Sequence, residues 1–423
     1  MQELRLSRVP ERFSEIMMPH RYRLLFFQPG VVPLAVFGLI SRLPNGMLQL
    51  AFVLTLIQAT GSYAMAGAAV TCYTLAAAIV FSPWTRAVDR VGPRTVLVIT
   101  GLVQGLVLLV VTVVSMLSTN GVLLMVLAGA SGVFVPPVGS IMRSLWSTTL
   151  TDKEIKDAAF AYESIVVEVV FLVGPTVVAA VSALSQPSWA LAFAALATTG
   201  GCLSLAGSSR VRALTGNCGS ERHWLGPLRH LSVLVLLPIG LLLMGSITAI
   251  EVSLVSFATH RGGTSVSGLL IAILSLGSVV GGTWWGSRSQ PGTSPQQLAV
   301  LLEVLGIGWA VLTVSGNPWL LGGLLLLAGL ALNPAITTMF SIMDDIATRD
   351  TLTESFGWLN ALGSAGAAAG ASITGAVVES GANSGFLFAA SMCATGGVIA
   401  LLCQPLWRRE ISDVPKLSAE VIQ

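Results

Sequence analysis

Charge is sparse along this chain, and its spacing limits what the chain can become. No Asp, Glu, Lys, Arg or His lies between Arg42 and Arg86, between Arg94 and Arg143, or between Glu168 and Arg210. These gaps run 43, 48 and 41 residues. A helix crossing the hydrocarbon core of a bilayer uses about 20 apolar residues, so each gap accommodates two crossings and a short turn. The stretches "ATGSY" (59–63), "LSTNG" (117–121) and "SQPSW" (185–189) supply the turns. Only 10% of the residues are charged and 54% are hydrophobic, against roughly 25% charged in a soluble domain. This is the composition of a membrane protein.

Hydropathy places spans near 33–57, 62–84, 95–117, 121–145, 158–184 and 188–207. Six more follow near 231–257, 264–287, 297–314, 318–343, 354–379 and 384–406. The expected organisation is an N-terminal tail (1–32), a six-helix bundle (33–207), a polar linker (208–230), a second six-helix bundle (231–407) and a C-terminal tail (408–423). The fold class is thus an all-α polytopic membrane protein with 12 transmembrane helices in two pseudo-symmetric bundles. The opening "MQELRLSRVPERFSEIMMPHRYR" mixes acids with bases and lacks the short apolar stretch of a secretory signal, so it reads as a retained tail. Of the 22 Lys and Arg residues, all but Arg42 and Arg261 fall on one side of this layout. Positive residues favour the cytoplasmic face, which predicts cytoplasmic termini in a plasma-membrane protein, expected to be monomeric.

The halves are related by an offset of 196 or 197 residues. Pro137 matches Pro334, Phe160 matches Phe356, Tyr162 matches Trp358, Gly174 matches Gly370, and the "TTGG" ending at Gly201 matches the "ATGG" ending at Gly397. Parallel repeats of this kind bind substrate near the bilayer midplane between the halves and rock about it.

Several functions are disfavoured. A net charge of +2 without a basic stripe argues against nucleic acid. None of the three lysines (Lys153, Lys156, Lys416) follows the glycine that a P-loop requires. The histidines (His20, His223, His230, His260) and the five cysteines show no metal-ligand spacing. Cys72, Cys202, Cys393 and Cys403 sit in apolar runs as structural thiols, and Cys218 in a polar segment. No catalytic residue, metal or cofactor is expected.

The segment "WTRAVDRVGPRT" resembles the signature between helices two and three of the major facilitator superfamily. That pattern is Gly, three residues, Asp-Arg, one residue, Gly, then two basic residues. Asp89, Arg90, Gly92 and Arg94 fit it, while Thr85 replaces the first glycine and Pro93 the first basic residue. A degraded echo, "GGTWWGSR", aligns Gly282 with Thr85 and puts Gly286 where the aspartate would stand. The stretches "SRLPNGM", "PPVGSIMRSLW", "TLTESFGWLN" and the Gly174-Pro175 pair are similar to those of bacterial, particularly actinobacterial-type, efflux members. The resemblance implies an inner gate held by Asp89, with Arg90 and Arg94 bonding locally. A carboxylate there can accept hydrogen bonds from arginines or from a helix N-terminus across the interface. The alternative is that these charges fix orientation and nothing more, as Arg86 is expected to do.

Charge deep in a membrane helix costs about 2.5 to 3.5 kcal/mol on insertion scales, which makes such residues functional candidates. Arg42, Asn45 and Gln49 form one polar stripe on the first helix, beside Pro44. They are read either as a wall of the transport pathway or, for Arg42, as half of a buried structural pair. Glu168 and Glu251 are candidates for proton binding, because a carboxyl in a low-dielectric site can load and release a proton, and Thr248, one turn before Glu251, is a candidate for the cavity wall. A structural hydrogen bond, to Arg42 for instance, is the competing reading for each. Glu163 lies about 140° around its helix from Glu168 and reads as a gate or interface residue. Glu303 reads as an interfacial structural residue. Arg143 is open between substrate contact and snorkelling to the cytoplasm, and Trp358 between cavity lining and anchoring. Gly363, Gly366 and Gly370 have close-packing spacing.

The leading expectation is a secondary active transporter exporting a small amphiphilic molecule against inward proton flow. The alternatives are a proton-coupled importer and a non-transporting receptor.

Overall fold

Where the sequence places Ser, Asn and Asp between apolar runs, their side chains start helices. Ser62 accepts from the backbone N–H of Met65, Asn120 from Leu123, Asp152 from Glu154 and Asn317 from Trp319, each satisfying a donor left over at a helix start. The computed structural model describes residues 20–214, 226–261, 264–288, 293–378 and 381–420, and every regular element among them is helical. Cys218, His223, most of residues 1–32 and part of the linker lie outside the described residues.

Spans 1 to 6 are Val31–Thr60, Tyr63–Val91, Pro93–Leu117, the pair Gly121–Val133 and Val138–Thr149, Lys153–Leu184 and Ser188–Gly207. Spans 7 to 12 are Leu231–Arg261, Thr264–Gly286, Ser294–Val311, Pro318–Ile346, Leu352–Val377 and Ala382–Glu420. Eleven of these are long and apolar enough to cross a membrane. Span 11, with 26 residues, lies within their range of lengths but is filled with Gly, Ala, Ser and Thr, which lower its hydropathy.

Three boundaries differ from the hydropathy reading. Span 2 runs to Val91, so Arg86, Asp89 and Arg90 belong to its last two turns rather than to a loop. Gly92 alone joins it to span 3, at φ 90 and ψ 151, a backbone shape that glycine adopts without strain. Pro93, the departure from the signature, is the first residue of span 3, where its missing N–H costs nothing. Helix His20–Phe26 precedes span 1 within the expected tail, and span 12 continues through the expected C-terminal tail to Glu420.

Span 4 was expected as one helix and is two. Pro136 and Pro137 remove consecutive donors and stop the first piece at Val133. The carbonyl of Val133 is left free by the break, and the Trp84 indole N–H donates to it at 2.7 Å, which is how irregular backbone becomes tolerable at membrane depth. Its repeat counterpart, Pro334, is a single proline and stays inside a continuous helix.

Packing within each half relies on small residues, because lipid is as apolar as leucine and close backbone approach must supply the attraction. A Cβ on Gly174 of span 5 would lie 2.8 Å from Gly46 Cα of span 1, and one on Gly370 of span 11 would lie 2.8 Å from Gly245 Cα of span 7. The repeat-matched glycines therefore make equivalent contacts in the two halves. Between the halves, span 5 packs on spans 8 and 10, and span 11 on spans 2 and 4. Helix His20–Phe26 packs on span 5, and the Tyr22 hydroxyl donates to Gly282 O of span 8 at 3.3 Å.

Candidate functional site

At the end of the molecule that carries Gly92, charges from the two halves meet. Arg86 Nε and Nη2 donate to Glu354 Oε1 at 3.0 and 2.6 Å. Asp89 Oδ2 accepts from the Glu354 backbone N–H at 2.8 Å. Glu354 is the third residue of span 11, whose Thr351 forms no side-chain cap, so a carboxylate from the opposite half satisfies that helix start and its positive end. Arg86, expected only to set orientation, thus has an acidic partner across the interface. Arg90 and Arg94 are exposed. Thr85 is fully buried against Gly357, whose Cβ would lie 2.7 Å from Thr85 Cγ2. The glycine missing from span 2 is replaced by one on the facing helix.

A second clasp joins spans 4 and 5 to span 10. Lys156 Nζ lies 3.0 Å from Asp344 Oδ2 and Lys153 Nζ 3.0 Å from Asp345 Oδ2. Ser147 donates to Asp344, and Ser341 to Asp157 Oδ1 at 2.8 Å. From the sequence these lysines count only toward charge sorting and the absent P-loop, and Glu354, Asp344 and Asp345 carry no role. An available signal was the neighbouring acids ending span 10, facing two of only three lysines in the chain.

Inside the clasps lies an aromatic layer. Phe160, Phe340 and Phe356 have ring centroids 6.1 to 6.5 Å apart. The Arg143 guanidinium carbon stands 4.4 Å from the Phe340 ring centre and 5.6 Å from that of Phe356. Repeat-equivalent residues meet one another here: Phe160 with Phe356, Arg143 with Phe340, and Ser147 with Asp344. An axis relating the two halves must pass between such pairs.

Beyond that layer, between the halves, is a cavity of about 400 Å³ whose lining includes Arg42, Asn45, Arg143, Phe340, Asn360 and Ser364. Gln49, Thr248 and Trp358, expected on its wall, are not part of it. Gln49 is exposed, and the Thr248 hydroxyl bonds its own helix at Met244 O. Trp358 lines a separate cavity with Arg86, Arg90 and Leu228, its indole N–H 3.4 Å from Glu354 Oε1. Arg42 Nη1 lies 2.6 Å from Glu163 Oε2, and the Trp146 indole donates to Glu163 Oε1 at 2.8 Å. Both charged groups are buried, at 5% and 0% exposure. Neither Glu168 nor Glu251 pairs with Arg42. Arg143 does not snorkel, being 5% exposed.

Glu168 accepts from Ser278 of span 8 at 3.1 Å, and its charge acts on Glu251 from the opposite half. Both glutamates are half-buried. Gly174 and Pro175 lie within the continuous helix of span 5, Gly174 against Gly46. Glu303 packs against Gly397 of span 12. Among the described residues no group of His, Cys, Asp and Glu is arranged to hold a metal.

Known folds share this arrangement. The human organic anion transporter MFSD10 (TETRAN) superposes with a TM-score of 0.71 at 16% identity, over 90% of this chain and 100% of that one. A bacterial homologue of the iron transporter ferroportin in an outward-facing state gives 0.69 at 14%, over 89% and 99%. The E. coli fucose:proton symporter FucP gives 0.69 at 14%, over 89% and 98%. At these identities the likeness carries the fold alone. No curated protein matches the sequence. The sequence pattern described as Major Facilitator Superfamily, however, matches residues 34–371. Twelve helices in two related halves, a cavity between them and a match over most of the chain make one case: this multi-pass membrane protein belongs to the Major Facilitator Superfamily, and it is a transporter rather than an enzyme.

Proposed function

We propose that the protein is a secondary active transporter that exports a small amphiphilic molecule in exchange for protons, by rocking its halves (33–207 and 231–407) about the central cavity. The observation that carries this reading is a cavity between two halves whose Gly92 end is closed by reversible contacts: ion pairs, one borrowed helix cap and an aromatic layer. Bistable packing of this kind lets small differential contacts drive a rigid-body switch. The Gly92 end collects the excess of Lys and Arg, which supports a cytoplasmic location for it in the plasma membrane, with both termini inside. On that assignment the closed end is the cytoplasmic one, and the protein works as a monomer.

Glu168 and Glu251 carry the proton in this reading. They are half-buried carboxyls on membrane spans of opposite halves, where a low-dielectric setting makes the charge costly and a bound proton relieves the cost. Substituting either with Gln abolishes gradient-driven transport in proteoliposomes while substrate exchange survives; undiminished gradient-driven transport in both variants refutes the assignment. A pH dye in vesicles of known orientation separates export from proton-coupled import by the direction of proton movement.

The clasp of Asp89 and Arg86 on Glu354 acts as the inner latch. Glu354→Ala with Asp89→Ala removes the cross-half acceptors, worth about 1–2 kcal/mol in partly exposed charged hydrogen bonds, which shifts the balance of the two states roughly 5- to 30-fold. A cysteine placed by Ser364→Cys in the cavity then gains reactivity from the cytoplasmic side. Labelling identical to that of the parent excludes the latch.

A further inference from the structure

The central cavity has an unbalanced charge. Its lining contains two ionisable side chains, Arg42 and Arg143, and no acid. Arg42 is matched from behind by Glu163, which is fully buried and does not reach the cavity. That carboxylate is ion-paired to Arg42 and accepts from the Trp146 indole, so its charge is taken up by Arg42. Among the described residues Arg143 enters no ion pair. It is 5% exposed, its Nε has no hydrogen-bond partner, and its guanidinium leans on the rings of Phe340 and Phe356. Gly139, one turn earlier, leaves space beside Nη2, and it too lines the cavity.

Ring faces attract a cation, but by about 2 kcal/mol even where water is excluded. A guanidinium has five N–H donors that a ring cannot satisfy. A buried cation is retained in a membrane protein where it meets a charged partner or a ligand, and the acid whose field reaches Arg143, Glu163, makes its ion pair with Arg42 instead. Planar oxyanions match the guanidinium fork in charge and shape.

We infer that the central cavity takes an amphiphilic organic monoanion, whose carboxylate or sulfonate is received by Arg143. One net positive charge remains after Arg42 and Glu163 cancel, so one negative charge completes the site. The amides of Asn45 and Asn360 and the Ser364 hydroxyl line the same space as neutral polar groups. Phe81, Val167, Phe171, Met244 and Leu359 provide an apolar wall for the rest of the molecule. A volume of about 400 Å³ lies toward the small end of ligand pockets, which suits a fused ring pair or a medium acyl chain. Because Arg143 stacks on rings from the opposite half, an anion drawing it away also loosens the aromatic layer, and ligand binding is thereby tied to opening of the closed end. This inference rests on the transport reading for what the site is for, but not for what it binds.

The test uses size-matched probes on the full-length protein in nanodiscs: 2-naphthoate and decanoate, each against its neutral amide, with 2-naphthylmethylammonium as the cation. Calorimetric titration should show each anion binding at least about tenfold tighter than its amide and no measurable binding of the cation, a difference of about 1.4 kcal/mol. Arg143→Gln should reduce the preference for the anion to below about twofold, while Arg143→Lys, which keeps the charge and loses the fork, should retain part of it. Melting curves of both variants check that they fold. Equal affinity for amide and anion, preference for the cation, a preference that survives Arg143→Gln, or no binding of either anion up to about 1 mM overturns the inference. Counterflow in proteoliposomes keeps the two readings apart. An anion that binds through Arg143 yet never exchanges leaves the site standing and removes the transport reading. Exchange of the amide or cation, unaffected by Arg143→Gln, does the reverse.

Discussion

Glu163→Leu destabilises the protein by about 3–5 kcal/mol, because it leaves the Arg42 guanidinium buried without its counter-charge. The carboxylate is fully buried and Arg42 is 5% exposed, so water cannot screen the loss. Trp146 also loses the acceptor of its indole N–H, which adds an unsatisfied donor in the same spot. The partner experiment is the double substitution Arg42→Met with Glu163→Leu. Replacing a buried pair by apolar groups of similar size is often neutral, so the double variant recovers most of the melting temperature that the single one loses. Melting is compared at one heating rate, since unfolding of a protein of this kind is governed by rate. A single variant no less stable than the double one contradicts the pairing. Transport separates the two variants further, because the double variant lacks the Arg42 side chain on the cavity wall.

The second large effect is in the glycine contacts. Gly370→Leu forces span 11 away from span 7, because a Cβ at position 370 meets the backbone of Gly245 rather than a side chain that could rotate aside. Overpacking of this kind costs about 1–3 kcal/mol, occasionally more. The repeat partner Gly174→Leu meets the backbone of Gly46 and behaves alike. Gly375→Leu is the internal control: it sits on the same helix, its Cβ has no neighbour within 4 Å, and it faces outward. The first two lower the yield of folded protein and its melting temperature, and the control does neither. Equal behaviour of Gly370→Leu and Gly375→Leu rules out the contact.

Local chemistry explains which parts of this architecture could be read in advance. Twelve helices follow from gaps between charges, since bilayer thickness converts residue number into crossings. The repeat is visible because prolines, glycines and aromatics recur at one offset. Span ends were misjudged where helices extend past the apolar core: Arg86, Asp89 and Arg90 are charged yet helical, and hydropathy cannot see a helix that continues into polar surroundings. Span 4 was misread for the opposite reason, since apolar residues surround a Pro-Pro break whose stability depends on the distant Trp84.

The candidate site was less legible. Arg42, Asn45 and Asp89 stand out by depth or by signature, and they line the cavity or clasp the interface. Glu354, Asp344 and Asp345 do not stand out, because acids at helix ends are ordinary until a partner is known. Glu163 and Glu168 are five residues apart on one helix, and nothing local says which of them meets Arg42. The sequence by itself determined the crossings, the two-fold repetition and the identity of the charges that had to be hidden. Only the tertiary structure decided the pairing: Arg42 with Glu163, Arg86 and Asp89 with Glu354, and Arg143 with rings instead of an acid. The physical reason is range. Helix formation and insertion depend on neighbours within a few turns, whereas a buried charge is stabilised by whatever the packing of two halves brings within a few ångströms, at sequence separations of up to 268 residues.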